Sequence, residues 1–197
     1  MPPFHRTATV RVIAGSHRGR IIPFSNRDFG NADITPQKVK SAVFSIIGEW
    51  LSDETFLDLF AGSGQIGIEA LSRGAEHVVF VEYDASRCRF IVSCLASMGL
   101  SDRASVLCEP WEDALAALGR EGMMFDYIFV DPPYAKNESG SSYRIILQAL
   151  SEIGILRGTG RVIIQHFYSN RMDDVVGNFR LRQTRRFGTT SVSIYAE

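Results

Sequence analysis

Residues 55–82 read TFLDLFAGSGQIGIEALSRGAEHVVFVE. TFLDLF is a short apolar run, the pattern of a strand covered on both faces. A glycine turn follows, then IGIEALSRG, which has helical character and closes on Gly74. HVVFVE is a second apolar strand. A strand, a glycine turn, a helix and a strand in so short a span make a βαβ unit. That unit predicts a parallel sheet with helices on its faces.

The alternation continues towards the C-terminus. A helix over 85–98 ends at Gly99, ASVLC is a strand, and a helix runs from about Trp111 to Leu118. FDYIFV is the fourth strand, residues 141–153 a helix, and RVIIQH the fifth strand. FRLRQTRRFG and TSVSIYA then read as an antiparallel pair. On the N-terminal side, ATVRVIAGSHRGRIIPF holds two β-branched runs around Gly15-Ser16, which predicts a hairpin. A polar loop, Ser25 to Asp33, follows it. Thr35-Pro36 has the form of a helix start, with Thr35 capping. Val39, Val43, Phe44, Ile46, Ile47 and Leu51 then form a helical stripe through Trp50. The chain therefore divides into a hairpin and loop over 1–34 and an α/β domain over 35–197.

Composition narrows the class. Of 197 residues, 45% are hydrophobic and 22% charged, the balance of a soluble globular protein. No secretory signal opens the chain, and no apolar run approaches the ~20 residues of a membrane span. Net charge is −1, but it is uneven. Residues 1–44 hold seven Lys/Arg and two acids, a local +5, which leaves −6 for the rest. A basic arm beside an acidic body suggests a polyanionic partner for the arm; the bland alternative is a solvated surface. Cys88, Cys94 and Cys108 are odd in number and fit no zinc spacing. His5, His17, His77 and His166 are scattered, so no metal is expected. For His17, inside the basic arm, a contact to that polyanionic partner and an idle surface imidazole are both open.

Phe60-Ala61-Gly62-Ser63-Gly64-Gln65-Ile66-Gly67 fits G-x-G-x-x-G, and it lies between a strand and its helix. Glycines let the backbone approach a ligand, and a helix N-terminus offers free N–H groups. Glu82, twenty residues after Gly62, ends the second strand, where a carboxylate accepts both ribose hydroxyls of an adenosine. This much suits a dinucleotide or S-adenosyl-L-methionine. Asp58 favours the second. A carboxylate near the loop suits the amino group of a methionine moiety and repels a pyrophosphate.

Asp131-Pro132-Pro133-Tyr134 directly follows FDYIFV, at the strand end where α/β sheets collect their chemistry. Two prolines remove two donors and fix two φ angles. The Asp131 carboxylate and a rigid backbone carbonyl are then two acceptors for the two hydrogens of an amino group. Holding those hydrogens turns the nitrogen lone pair towards an incoming methyl. Tyr134 is placed to stack on the base that carries the amine. The competing account is a rigid strand-end turn with Tyr134 as packing.

Taken together, RVIAGSHRGR, ITPQKVKSAVF, LDLFAGSGQIGIEALSRGA and FVDPPY resemble the RsmD family, bacterial methyltransferases acting on guanine N2 in 16S ribosomal RNA. The resemblance covers nearly the whole chain. It implies a Rossmann-like class I S-adenosylmethionine-dependent methyltransferase fold with an N-terminal β-hairpin extension. It implies cofactor contacts at Phe60, Gly62, Ser63, Gly64 and Glu82, and catalytic positioning by Asp131, Pro132 and Tyr134. It further implies RNA-facing roles for Arg11, Arg18 and Arg20. Lys38 and Lys40 stand where the family usually has arginines, which keeps charge but not the bidentate grip on phosphate. The stretch Cys108-Glu109-Pro110-Trp111 has proline where an adenine-facing acid is common. Trp111 either lines the ring face or packs.

The expected reaction is in-line methyl transfer from S-adenosyl-L-methionine to a guanine N2 of 16S rRNA in a small-subunit particle, by a cytoplasmic monomer. Rate would come from positioning and hydrogen bonding. No cysteine lies in either motif, which disfavours a covalent intermediate. Three rivals stand beside this reading. An adenine N6 methyltransferase has similar amine geometry. A nicotinamide-dependent oxidoreductase shares the glycine loop but leaves DPPY unexplained and lacks an evident Tyr-x-x-x-Lys pair. An RNA-holding module without chemistry has no use for Asp131 and Glu82.

Overall fold

The computed structural model describes residues 10–24, 35–133 and 141–197. In chain order its elements are β1 (Val10–Arg11), β2 (Ile21–Ile22), α1 (Gln37–Ile47), β3 (Thr55–Asp58), α2 (Gln65–Ser72), β4 (His77–Val81) and α3 (Ala85–Met98). A 3-10 turn (Ser101–Arg103) leads to β5 (Ala104–Leu107), α4 (Trp111–Arg120), β6 (Phe125–Val130) and α5 (Ser141–Ile153). The chain closes with β7 (Leu156–Phe167), β8 (Val175–Val176), β9 (Phe179–Phe187) and β10 (Thr190–Ala196).

Eight strands form one sheet in the order β5-β4-β3-β6-β7-β10-β9-β8. The five strands from β5 to β7 are parallel, and β10, β9 and β8 add on antiparallel. After β5 the chain crosses back to place β6 on the other side of β3. Strand order therefore reverses between β3 and β6, and a crevice opens at their carboxyl ends. One buried cluster, with Phe44, Phe56, Phe80 and Ile91, lies on one face; a second, with Leu115, Leu118, Leu147 and Leu150, lies on the other.

The strand–helix alternation read from the sequence is the observed one. Two boundaries move for physical reasons. β7 starts at Leu156, because its pairing with β6 slips between Phe125↔Leu156 and Tyr127↔Arg161, and the extra residues bulge out. α1 stops at Ile47 on Gly48, and Trp50 beyond it is exposed. Thr35 does not cap α1: Pro36 holds the cap position without a side-chain bond, and the Thr35 hydroxyl goes elsewhere.

The hairpin β1–β2 shares the main core. Val10, Val12, Ile22 and Phe24 join the cluster that holds Phe56 and Phe80. Below it lies a polar clasp. Glu69, fully buried on α2, accepts the Ile13 N–H at 2.8 Å and the Ala14 N–H at 3.0 Å. Lys40 Nζ lies 3.3 Å from one of its oxygens and Arg73 Nε 2.9 Å from the other. Ser72 Oγ donates to Ala14 O at 2.6 Å and accepts the His17 N–H at 3.0 Å. Gly15 is required here, since a Cβ would sit 1.8 Å from Ser72 O. The phrases RVIAGSH and EALSR thus interlock.

This corrects the expectation that Lys40 faces RNA. Its side chain is wholly buried, and Nζ also donates to Arg11 O at 2.7 Å. Burial holds its pKa below the ordinary lysine value, with Glu69 pulling the other way. A phosphate cannot reach it.

Candidate active site

The crevice at the carboxyl ends of β3, β4 and β6 is a cavity of about 650 Å³, within the range of small-ligand sites. One wall is the loop after β3, with Phe60, Gly62 and Ser63. Glu82 and Tyr83 after β4 and Glu109-Pro110-Trp111 after β5 form a second. Asp131-Pro132-Pro133 after β6, with Thr35, form a third. Residues separated by more than seventy positions converge because all stand at the carboxyl ends of neighbouring parallel strands.

Each predicted cofactor residue has a definite place. Glu82 is 5% exposed; its Oε2 accepts the Gly62 N–H at 2.9 Å and its Oε1 the Asp84 N–H at 2.9 Å. Its carboxylate therefore locks the glycine loop while facing the cavity. Phe60 and Trp111 approach with ring centroids 6.4 Å apart, and both line the wall. Gly64 starts α2 behind the wall, and Gly67 is packed where a Cβ would meet the Phe80 ring at 2.2 Å. Asp58 is buried behind the loop rather than in the lining; its Oδ2 accepts the Gly67 N–H at 3.0 Å. Its Oδ1 is buried with no hydrogen-bond partner among the described residues. Burial, with the Asp131 and Glu82 charges adding, pushes the Asp58 carboxyl up to about 7, against the pull of the Gly67 bond.

Asp131 stands at the mouth of the same cavity. Its Oδ2 accepts from the Thr35 hydroxyl at 3.1 Å and from Gln165 Nε2 at 2.8 Å. Two donors from distant elements fix the carboxylate's orientation. Pro132 is buried and Pro133 exposed. Tyr134 lies outside the described residues.

Sequence reasoning missed Thr35, Gln65, Tyr83, Arg87 and Glu109 as lining residues, and Gln165 as the partner of Asp131. Gln65, the first residue of α2, is 4% exposed, and its Oε1 has no hydrogen-bond partner among the described residues. Its place inside the glycine loop was the signal available. Nothing local marks Gln165, which reaches Asp131 across 34 positions.

On the arm, Arg11, Arg18 and Arg20 are exposed, as is Lys38 on the first turn of α1. Arg11 Nη1 donates to Gly19 O and Arg20 Nη2 to Ser97 O, so both heads rest on the surface. The His17 ring is held between Met98 O at 2.9 Å and Ser16 Oγ at 2.8 Å, a structural post rather than an idle imidazole. Among the described residues no cluster of metal-binding side chains occurs, and no helix is long and apolar enough to cross a membrane. Cys88, Cys94 and Cys108 are free thiols.

The sheet order, glycine loop, strand-end acid and D-P-P edge define a class I methyltransferase fold, the α/β fold of S-adenosylmethionine-dependent methyltransferases. The chain matches, over residues 10–196, the model of the family described as "Conserved hypothetical protein 95", and it belongs to that family, the RsmD family. It is 34% identical over 190 residues to "Putative rRNA methyltransferase YlbH" of Bacillus subtilis (strain 168), covering 94% of this chain and 98% of that one. To "Ribosomal RNA small subunit methyltransferase D" of Escherichia coli (strain K12) it is 25% identical, covering 98% and 93%. The solved structure of "Putative methyltransferase yhhF from Escherichia coli" superposes with a TM-score of 0.79 at 26% identity, over 95% and 97% of the two chains.

Proposed function

We propose that this protein transfers a methyl group from S-adenosyl-L-methionine to the exocyclic N2 amine of a guanine in 16S ribosomal RNA. The observation that carries the reading is the Asp131 carboxylate, fixed by Thr35 and Gln165 at the mouth of the cavity that Glu82 and the glycine loop line. The names of the relatives support a ribosomal RNA substrate. A small-subunit particle as substrate, a monomeric state and a cytoplasmic setting belong to the same proposal.

The residues fit the cofactor. Glu82 offers acceptors to ribose hydroxyls, and Tyr83 and Trp111 offer flat faces to an adenine. The partnerless oxygens of Asp58 and Gln65 suit an ammonium donor. When bound, the cofactor supplies an electrophilic methyl group. Asp131 holds the amine hydrogens, so the nitrogen lone pair is directed into the cavity. Its charge stabilises the positive charge that develops on nitrogen as the methyl arrives. Pro132 and Pro133 keep the backbone rigid. Tyr134 is assigned the stacking role on the target base. Arg11, Arg18, Arg20 and Lys38 hold phosphates.

Single-turnover methylation of small-subunit particles tests this, with S-adenosylhomocysteine titrated by calorimetry as the control. Asp131→Ala should bind that ligand normally and lose about 10²-fold or more in methyl transfer, the scale of one preorganised polar contact. Asp131→Asn should also be slow, because its amide presents a donor to the amine. Near-normal turnover per folded molecule of Asp131→Ala would sink the mechanism.

A further inference from the structure

The basic arm is not the chain's only basic region. Residues 157–197 hold seven arginines against three acids. Four of the seven, Arg180, Arg182, Arg185 and Arg186, lie exposed on β9. Some arginines of the region are partnered: Arg182 donates to Glu197 O, and Arg157 pairs with Asp126. The Arg185 side chain makes no hydrogen bond or ion pair among the described residues.

The register locates Arg185 and Arg186 beside the active site. Gln165, which holds Asp131, pairs with Val192, and Val192 pairs with Arg185; His166 pairs with Ser191, and Ser191 with Arg186. Arg185 therefore stands two strands over from Gln165, and Arg186 two strands over from its neighbour His166, each roughly 10 Å away. Two of the three acids, Asp173 and Asp174, lie at the far end of β9, where Asp174 O accepts the Leu181 N–H. Five residues of strand separate that end from Arg186, roughly 17 Å.

An aromatic group completes the patch. Tyr168 is 42% exposed, and its N–H donates to Thr189 O beside the β9–β10 turn. The Arg186 guanidinium lies 3.9 Å above its ring centroid, while Nε donates to Gly188 O at 2.8 Å. Phe167 supports the ring at 4.8 Å. The guanidinium plane is thus fixed in place, and its terminal nitrogens make no hydrogen bond among the described residues. A preset guanidinium on an exposed ring combines phosphate binding with base stacking; Arg185, the preceding residue, projects from the other face of the same strand, which β8 pairs only as far as Arg180.

We propose that Tyr168, Arg185 and Arg186 form a second RNA contact, which takes the phosphates and one unpaired base of the strand flanking the target nucleotide. The inference rests on the RNA reading above and extends it: the substrate is gripped on both sides of Asp131, by the arm and by this C-terminal edge.

Fluorescence anisotropy with a small-subunit rRNA fragment at several salt concentrations tests it. Arg185→Ala with Arg186→Ala should weaken binding about tenfold or more. It should flatten the salt dependence by roughly 0.7–0.9 per phosphate released. Tyr168→Leu should weaken binding without changing that slope, and Tyr168→Phe should stay near the parent. S-adenosylhomocysteine affinity and melting temperature should not move, which separates the effect from misfolding. If the β9 double variant binds like the parent while Arg18→Ala with Arg20→Ala binds weakly, the C-terminal contact is overturned and the RNA reading stands. If the β9 variant binds RNA weakly but the parent methylates no ribosomal RNA, the contact stands and the function above falls.

Discussion

The two ends of α2 are finished in opposite ways. At its first residue, Gln65 Oε1 is buried at the cavity wall and Asp58 Oδ1 is buried behind the glycine loop, both without a hydrogen-bond partner among the described residues. About one turn further along, the Glu69 carboxylate receives four donors, from Ile13, Ala14, Lys40 and Arg73. Buried polar atoms without partners are costly and rare, so a cluster of them marks a place where something the chain does not supply will bind. A fully satisfied carboxylate marks a place where the fold is closed. One short helix therefore carries a ligand-facing end and a sealed end, and substitutions at the two ends should fail differently.

The largest effect belongs to the sealed end. Glu69→Gln removes the carboxylate paired with Lys40 and leaves that ammonium buried and uncompensated. Breaking a buried pair in this way costs about 3–5 kcal/mol. Denaturant unfolding should show the loss, while S-adenosylhomocysteine affinity per folded molecule stays at the parent's value. A folded variant that no longer binds the ligand would mean the two ends are coupled, and the contrast would collapse.

The same contrast explains what was legible in the sequence. Strands and helices follow from local periodicity, and so does the glycine loop. D-P-P is local as well, since its meaning comes from its place directly after an apolar strand. Lys40 was misread because a charge count treats every lysine alike. Its burial is decided by Glu69, 29 positions away. Thr35 has the local form of a cap, yet its hydroxyl is taken by Asp131, 96 residues distant. The β9 arginines vanished into the acidic average of residues 45–197, although strand pairing brings them beside Asp131. What the sequence hid was in each case a long-range neighbour.

A second prediction sharpens the ligand-facing end. Asp58 has a carboxyl raised to about 7 by burial, above its ordinary 3.8. A raised acid contributes stability that is fully present below the unfolded value and lost as pH rises through the folded one. In the unliganded protein the stability of the parent relative to Asp58→Asn should fall between about pH 4 and pH 8, by on the order of a few kcal/mol. A ligand ammonium beside the carboxylate would favour its charged form. Binding of S-adenosylhomocysteine should then release protons near pH 6–7, visible by calorimetry in buffers of different ionisation heat. A flat stability difference and no proton release would show that the carboxylate is neither strained nor ligand-linked.

Gln65 gives the smallest effect and the most direct test of the contrast. Gln65→Leu keeps much of the volume and removes a buried oxygen that has no hydrogen-bond partner among the described residues. Replacing an orphaned polar group by an apolar one is neutral or stabilising, so unfolding free energy should hold or rise slightly. The same substitution removes an acceptor from the cavity wall. S-adenosylhomocysteine should bind more weakly by about 1 kcal/mol, roughly fivefold, the net worth of one hydrogen bond. Stability and affinity would then move in opposite directions here, whereas Glu69→Gln lowers stability alone. Calorimetry and denaturant unfolding on the two variants together decide the matter. If Gln65→Leu lowered stability by as much as Glu69→Gln and left affinity unchanged, the partnerless oxygen would be a structural element, and both ends of α2 would serve only the fold.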